Sequence, residues 1–306
     1  KVNDRRDSTC IRALFHAGCI MKIAITAASG QLGRAIINAT ISVVGRGNVI
    51  GIARTPAKAV DLGVQVRQGS YDSPDEMREA LQGVDSLLLV SGMDAPDKRV
   101  TQHRNVIHAA KAAGVKKIVY TSVQGPETGG AFSPIVQSNR QTEADVKAGG
   151  LAWVIGRNGI YIEPDVAYID TYAATGEIAN SAEDGLCGYT TRSELAHAYA
   201  RMLTQPQHDG HTYHLHGELI TQAILAQLLG EAFGMKLQYR VMDVEAYRAE
   251  RIAELGPFIG NVIAGIYQGI RDGAYDTPSD FELVAGRAHQ TWADYFAGVK
   301  ASRTRH

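Results

Sequence analysis

From Met21 onward the chain alternates short apolar runs with segments of helical periodicity, and this alternation constrains the fold more than any other feature. The runs Met21–Thr26 (MKIAIT) and Ser86–Val90 (SLLLV) are mostly apolar, as strands buried on both faces are. Between such runs, as in Gly30–Val44, apolar residues recur at helical spacing. Because parallel strands need crossover connections, this α/β pattern predicts a doubly wound parallel sheet. We expect strands at 21–26, 48–53, 64–68, 86–90, 117–121 and 152–155, and helices at 30–44, 73–83, 98–113 and 138–148.

The periodicity becomes less regular after about residue 157, where Gly- and Tyr-rich segments begin. We therefore expect a cofactor-binding core at 21–157 and, at 158–306, mainly a smaller α/β substrate lobe, part of which returns to the core. The lobe would cover the carboxyl ends of the strands, where ligands bind in such folds. Residues 1–20 show no periodicity, and we interpret them as an extension outside the fold. A targeting peptide is less favoured, because Arg12 and His16 interrupt the apolar run.

Composition disfavours several classes of function. The 306 residues carry 31 Lys+Arg and 32 Asp+Glu, which disfavours general nucleic-acid binding. No apolar stretch approaches the roughly 20 residues that a membrane span requires, so we expect no membrane partner. Three cysteines cannot build a disulfide framework, and we expect a cytoplasmic protein. The His-rich segment QHDGHTYHLHG at 207–217 is typical of a turn and a strand, and no metal site is predicted.

The segment Thr26-Ala27-Ala28-Ser29-Gly30-Gln31-Leu32-Gly33 joins the first strand to the first helix. It matches the dinucleotide-binding pattern G-x-x-G-x-x-G, except that Ala27 takes the first glycine position. Residues without bulk let the backbone approach a pyrophosphate, and the helix N-terminus then offers it free N–H groups. Its position after a strand and before a helix favours a Rossmann dinucleotide site over simple relief of crowding.

Arg54 ends the second strand, where an NAD-dependent enzyme usually places Asp or Glu to bind the ribose hydroxyl. A guanidinium pairs well with a 2′-phosphate, whereas a carboxylate would repel it. Lys58 adds a second positive charge four residues later. The predicted cofactor is therefore NADP(H), unless Arg54 is only a solvated charge at a strand end.

Several motifs together carry a family resemblance. They are IARTPAKA at 52–59, VRQGSYD at 66–72, QHRNVIHAAKAAGVKKIVYTS at 102–122, RNGIY at 157–161 and TTRSELAHAYARML at 190–203. With the 26–33 turn, they make residues 21–306 resemble the NmrA-like atypical short-chain dehydrogenases. The resemblance is closest to the bacterial NADPH:quinone oxidoreductase and triphenylmethane reductase branch, and it implies a Rossmann domain with a small C-terminal lobe.

The resemblance also implies which residues meet the cofactor. They are Thr26, Ala28, Ser29, Gly30, Gln31, Leu32, Gly33, Arg54, Ser91, Gly92, Thr121, Asn158, Gly159 and Tyr161. Two departures affect this assignment. Ala27 replaces the usual glycine, and Ser70 stands where relatives often carry Asp, near the expected adenosine end of the cofactor.

Ordinary short-chain dehydrogenases protonate a developing alkoxide with a Tyr-x-x-x-Lys pair, in which the lysine lowers the pKa of the phenol. None of the 13 tyrosines here has Lys four residues later, and the helix that would carry the pair reads SNRQTE at 138–143. Ketone reduction would therefore lack its usual acid. Quinones and cationic conjugated molecules need less help, because hydride can arrive first and solvent can supply a proton. Tyr161 is the tentative catalytic residue, with a role in orienting nicotinamide or substrate, and the alternative is a packed aromatic ring.

Two functions remain open at this point. The favoured one is an NADPH-dependent reductase of a small electrophilic acceptor, acting as a monomer or homodimer. The other is an NADP(H)-binding redox sensor or regulator without turnover. Arg157 and Arg192 are expected to form ion pairs across the two lobes rather than to bind substrate. The apolar positions of 258–270 have helical spacing, mostly as core, and this helix would also suit the wall of a substrate pocket.

Overall fold

Seven strands form the central sheet of the computed structural model, which describes residues 21–127 and 133–303. The strands are β1 (Ile23–Ile25), β2 (Val49–Ala53), β3 (Gln65–Gln68), β4 (Ser86–Leu89), β5 (Lys117–Val123), β6 (Ala152–Asn158) and β10 (His211–Leu215). Their order is β10-β6-β5-β4-β1-β2-β3, and every neighbouring pair is parallel. The predicted doubly wound sheet is confirmed. The interpretation of residues 1–20 lies outside the described residues.

Helices cover both faces of this sheet, because each buries an apolar side against it. Leu32, Ile36 and Ile37 of the first helix pack with Leu195 and Tyr199 of a later helix on one face. The opposite face is covered by helices whose buried side chains form a second cluster. The helices flanking the sheet are α1 (Gln31–Val44), α2 (Pro74–Ala80), α3 (Pro96–Ala112), α4 (Ser133–Ala148) and α7 (Arg192–Thr204).

The remaining elements form a second packed unit with its own apolar core. Two small sheets lie in it, with strand orders β11-β9-β7 and β12-β8. The strands are β7 (Ile160–Tyr161), β8 (Glu177–Asn180), β9 (Cys187–Thr190), β11 (Leu219–Ile220) and β12 (Gln238–Val241). The helices are α5 (Glu163–Ala167), α6 (Ile169–Thr175), α8 (Gln222–Phe233), α9 (Val244–Arg271), α10 (Phe281–Ala285) and α11 (Trp292–Arg303), of which α10 packs on the main core instead.

Helix α9 consists of two helices that fold back on each other at Gly256, whose φ of 80° is non-helical. Arg248 donates hydrogen bonds to Asn261 at 3.2 Å and to Gln268 at 2.9 Å, across the two halves. The apolar positions of 258–270 mostly pack on the core as expected, and the exceptions are Phe258 and Ile259, which are 48% and 41% exposed beside the reversal. No helix within the described residues is long and apolar enough to cross a membrane.

Candidate active site

The turn after β1 brings backbone N–H groups to the carboxyl edge of the sheet. Ala28 N–H donates to the Ile52 carbonyl at 3.0 Å, and Gly30 N–H donates to the Ala27 carbonyl at 2.9 Å. A Cβ on Gly33 would lie 2.3 Å from the Ala27 oxygen, so only glycine lets α1 start this close to the strand. No side chain caps α1. Its first N–H groups are therefore available to a phosphate, as the sequence pattern requires.

Thr26 and Tyr71 together hold the loops that follow β1 and β4. The fully buried Thr26 hydroxyl donates to the Leu88 carbonyl at 3.0 Å, accepts from Val90 N–H at 2.9 Å and contacts the Tyr71 hydroxyl at 2.5 Å. The Tyr71 hydroxyl donates to the Val90 carbonyl at 2.8 Å. Burial raises the pKa of Tyr71, which keeps this phenol protonated. The Thr26 side chain therefore fixes the positions of the loops that form the site.

Arg54 is exposed where β2 ends, as the NADP(H) prediction requires. A hydrogen bond from Gln102 is the largest of several causes that lower the pKa of Asp94, and the charges of Lys98 and Arg54 add to it. Arg54 thus lies near the loop after β4. Lys58 is exposed in the 3₁₀ segment Pro56–Leu62 that follows.

His103 fixes the loop that carries Ser91 and Gly92. Its Nε2 accepts a hydrogen bond from Gly92 N–H at 2.9 Å. Because a backbone N–H can only donate, this ring nitrogen carries no proton. The proton must then lie on Nδ1, which is 2.9 Å from the Thr142 hydroxyl. Burial lowers the pKa of His103 to about 3, so the ring stays neutral at physiological pH.

Thr121 and Tyr120 face the same loop from β5. The Thr121 hydroxyl accepts from Ser91 N–H at 2.9 Å, and the Tyr120 hydroxyl donates to Asn139 Oδ1 at 2.6 Å. Burial raises the pKa of Tyr120 to about 12. A buried neutral network therefore supports the predicted cofactor residues Ser91 and Thr121.

An ion-pair network occupies α4, the helix that carries Tyr and Lys in ordinary short-chain dehydrogenases. The buried Glu143 carboxylate accepts from Ser122 at 2.6 Å, from Arg140 at 2.9 Å, and from Arg157 at 3.0 and 2.8 Å. Burial alone would raise the pKa of Glu143, but the hydrogen bonds from Arg157 and Ser122 and the charge of Arg140 outweigh it and lower the pKa. Glu143 is therefore ionised at neutral pH and cannot donate a proton.

Asn158, Gly159 and Tyr161 lie where β6 passes into β7. The Asn158 amide donates to the Tyr161 hydroxyl at 3.4 Å and accepts from the Tyr199 hydroxyl at 2.7 Å. The Arg192 guanidinium lies over the Tyr161 ring, 4.8 Å from its centre. Burial raises the pKa of Tyr161, the opposite of what an adjacent lysine does in the ordinary enzymes.

Arg157 and Arg192 both form ion pairs, and the pair of Arg192 joins the two units as expected, whereas those of Arg157 do not. Arg157 pairs with Glu143 and Glu127, both within the first part of the chain. Arg192 begins α7, which packs on the main sheet, and it pairs with Glu163 of α5 in the second unit. The pairing of Arg157 is local, because Glu143 lies on α4, which packs beside β6.

The sheet order places the predicted residues along one edge. The carboxyl ends of β2, β1, β4, β5 and β6 follow one another in space, so Arg54, the 26–33 turn, Ser91–Gly92, Thr121 of β5 and 158–161 lie at the same edge of the sheet. Sequence reasoning missed Tyr71, His103 and Glu143 as supports of these residues. Apart from Arg140, which lies three residues from Glu143, their partners lie between 11 and 45 residues away, and a single sequence carries no signal for such contacts. Within the described residues, no group of three or more His, Cys, Asp or Glu side chains could hold a metal ion.

Comparison with known proteins agrees with this geometry. Residues 27–206 match a family described as NAD(P)H-binding. Over 233 residues the chain is 38% identical to quinone oxidoreductase 2 of Escherichia coli K12, covering 74% of this chain and 80% of that protein. An NmrA-like family domain-containing oxidoreductase of Aspergillus flavus is 29% identical over 235 residues, covering 74% and 76%.

Two groups of solved structures are also similar. The NADPH complex of an NADPH-dependent quinone oxidoreductase from Escherichia coli has a TM-score of 0.84 at 32% identity, covering 90% of this chain and 99% of that chain. Triphenylmethane reductase from Citrobacter sp. has a TM-score of 0.85 at 30% identity, covering 92% and 100%.

These findings confirm the predicted family resemblance, the Rossmann fold, the oxidoreductase class and a nicotinamide cofactor. NADPH or NADP(H) is the form bound in related structures. The chain belongs to the NAD(P)H-binding, NmrA-like family of Rossmann-fold oxidoreductases.

Proposed function

We propose that this protein is an NADPH-dependent reductase that transfers hydride to a small quinone-like or conjugated electrophile, and that no side chain of the protein protonates the product. The observation that carries the proposal is the state of α4. The Glu143 carboxylate on this helix is held by Arg140 and Arg157, and no Tyr-x-x-x-Lys pair exists in the sequence. An acceptor whose reduced form is a stabilised anion or a neutral molecule suits such a site.

The cofactor would lie along the row of residues from Arg54 to Tyr161. The uncapped N-terminus of α1 would hold the pyrophosphate, while Arg54 and Lys58 would pair with the 2′-phosphate. Asn158 and Tyr161 would orient the nicotinamide end. When bound, the reduced nicotinamide supplies the hydride. The chain itself binds and orients the cofactor, and its second lobe, assigned to 158–306, would shape the acceptor site.

The titratable groups near this row support the absence of a protein acid. His103 is neutral and both its ring nitrogens are engaged. The pKa of Tyr120 is raised to about 12 by burial, and its proton is committed to Asn139. Burial also raises the pKa of Tyr161, which makes this phenol a weaker general acid. Solvent would then supply the proton after hydride transfer.

The acceptor is a small molecule, and we place the enzyme in the cytoplasm as a monomer or homodimer. Cys187 is buried and forms no disulfide within the described part of the chain, which is consistent with a reducing compartment. A sensor or regulator without turnover remains the competing function, since the same cofactor row would serve it.

The test is consumption of NADPH, followed at the absorbance band of reduced nicotinamide, with quinones, cationic dyes, conjugated carbonyls and simple ketones as acceptors. We expect turnover with quinones or dyes and very slow reaction with simple ketones, which lack the roughly 10²–10⁴-fold contribution of general acid catalysis. Tight NADPH binding without oxidation by any acceptor would contradict the proposal and favour the sensor. Ketone reduction at a rate matching quinones would contradict the acid-free mechanism alone.

A further inference from the structure

Arg34 connects the phosphate-binding turn to the segment that carries Lys58. It lies on α1 directly after Gly33, and its Nη1 and Nη2 donate to both carboxylate oxygens of Asp61, at 2.6 and 3.0 Å. Nη2 also donates to the Lys58 carbonyl, and Nε donates to the Ser29 carbonyl at 3.4 Å. One guanidinium therefore joins the turn, the first helix and the 3₁₀ segment Pro56–Leu62.

The 3₁₀ segment is otherwise anchored mainly at its far end. Ala59 and Leu62 are buried, and Arg46 donates to the Leu62 carbonyl at 3.1 Å. Lys58 and Asp61 are exposed. The Arg34 contacts thus fix the exposed side of the segment, which begins two residues after Arg54.

We propose that Arg34 and Asp61 are positioning residues that determine the preference for NADPH over NADH, because their ion pair holds Arg54 and Lys58 in place for the 2′-phosphate. The inference rests on the proposed function, which makes NADPH the reductant. Arg34 is not itself a phosphate ligand in this account. Its four contacts occupy most of the five N–H donors of a guanidinium, and the Asp61 carboxylate offsets its charge.

Simple electrostatics and a positioning role predict opposite changes in NADPH affinity when the Asp61 carboxylate is removed. Removal of the Asp61 carboxylate takes a negative charge away from a site for a phosphate and frees Arg34 to bind it. Both effects would strengthen NADPH binding, to the extent that salt does not screen them. If the pair positions the segment, the same removal instead weakens NADPH binding, since Arg54 and Lys58 then have to be ordered when the cofactor binds.

The experiment is a calorimetric titration of the full chain with NADPH and with NADH, for the natural protein, Asp61→Ala and Arg34→Lys. The matched control is Asp170→Ala, which removes an exposed carboxylate from an arginine pair with Arg303 in the second unit. We expect NADPH binding to weaken by roughly three- to tenfold in both test variants, the range of one ordinary hydrogen bond, because the pair acts on the phosphate only through Arg54 and Lys58. NADH binding should change less than twofold on the same scale, and the control should match the natural protein.

Unchanged or tighter NADPH binding by Asp61→Ala would overturn the inference, because Arg34 would then be idle or a direct ligand. Equal losses for NADPH and NADH would also overturn it, since the pair would only stabilise the turn. Failure of the proposed cofactor preference is recognised separately. In that case the natural protein itself binds NADH as tightly as NADPH, before any variant is compared.

Discussion

At the scale of one residue, we propose that Arg54 decides the form of the cofactor. Its exposed side chain ends β2, at the place where the ribose of a dinucleotide meets this fold. Arg54→Ala should weaken NADPH binding by about 1–3 kcal/mol, the value of a charge-assisted hydrogen bond, and change NADH binding little. Cofactor titration checks this, with Arg78→Ala as a control because Arg78 is an exposed arginine on α2 that pairs with Asp75. Equal losses for the two cofactors would remove Arg54 from the 2′-phosphate site.

Ala27 shows what the departure from the glycine pattern does. Its φ is 50°, a left-handed conformation that costs an L-residue with a Cβ roughly 1–2 kcal/mol. Ala27→Gly should therefore raise the free energy of unfolding by about 0.5–1 kcal/mol, after the entropy that glycine adds to the unfolded chain. Urea denaturation of the protein without cofactor measures it. The control Ala57→Gly lies in the 3₁₀ segment without positive φ and should destabilise instead. Destabilisation by Ala27→Gly would show that the turn carries no strain.

The site residues proposed from the sequence are those whose signal is local. The turn at 26–33 and Arg54 were recognisable because their chemistry depends on neighbours in the chain, and the strand that precedes each is an apolar run. Tyr71 and His103 were not recognisable as supports of the loop after β4, because their partners Thr26, Val90, Gly92 and Thr142 come from other elements. A buried polar side chain becomes interpretable only when the group that satisfies it is known.

At the scale of elements, Asp165 makes the packing of α5 on α6 depend on pH. This buried carboxylate accepts a hydrogen bond from Tyr172 at 2.9 Å, and burial raises its pKa from 3.8 to about 6. The folded state therefore retains the proton up to a higher pH than the unfolded state. The contribution of Asp165 to the free energy of unfolding is fully present below about pH 4 and is lost as the pH rises through about 6. The stability lost in this way is about 3 kcal/mol at most.

Asp165→Asn should consequently stabilise the protein by about 1–3 kcal/mol above pH 7 and have little effect near pH 4, since the amide stays neutral and still accepts from Tyr172. Chemical denaturation at the two pH values measures both effects. Phe281→Leu, a substitution in the main core, should change stability equally at both and serves as the control. A loss of stability on Asp165→Asn above pH 7 would mean that the carboxylate is ionised and usefully paired.

Most elements followed from the sequence, but their extents and α9 did not. Helix α4 begins at Ser133 rather than Ser138, and β6 continues to Asn158 rather than ending at Ile155, because pairing with β5 extends to that residue. The dipeptide Gly256-Pro257 was a local signal for the reversal within α9, as glycine and proline together mark turns. The pairing of the two halves depends on contacts such as Tyr247 with Tyr267, which no periodicity predicts.

At the scale of the whole molecule, a conventional Rossmann sheet edge is combined with an unconventional α4. The sheet order aligns the carboxyl ends of five strands for the proposed dinucleotide site, while Glu143, Arg140 and Arg157 form ion pairs at the helix that was expected from the sequence to lack a Tyr/Lys pair. The absence of a Tyr-x-x-x-Lys pair is evident from the sequence alone. The sequence did not predict the ion-pair network, since the three charges come from α4 and β6 and meet only in the folded chain.

The proposal that solvent rather than a side chain supplies the proton is tested most directly by the single-turnover rate of NADPH oxidation by a quinone. This rate is measured across pH for the natural protein and for Tyr161→Phe. If solvent supplies the proton, the rate should not fall with rising pH in the way it would if an essential protein acid were deprotonated. Tyr161→Phe should then lower the rate mildly and by the same factor at every pH. Tyr161→Phe removes only the hydroxyl that accepts from Asn158. NADPH affinity, measured for both proteins, serves as the internal control and shows whether the cofactor still binds. A collapse of the rate with binding intact, together with loss of a pH-dependent limb present in the natural protein, would make Tyr161 the general acid and contradict the account.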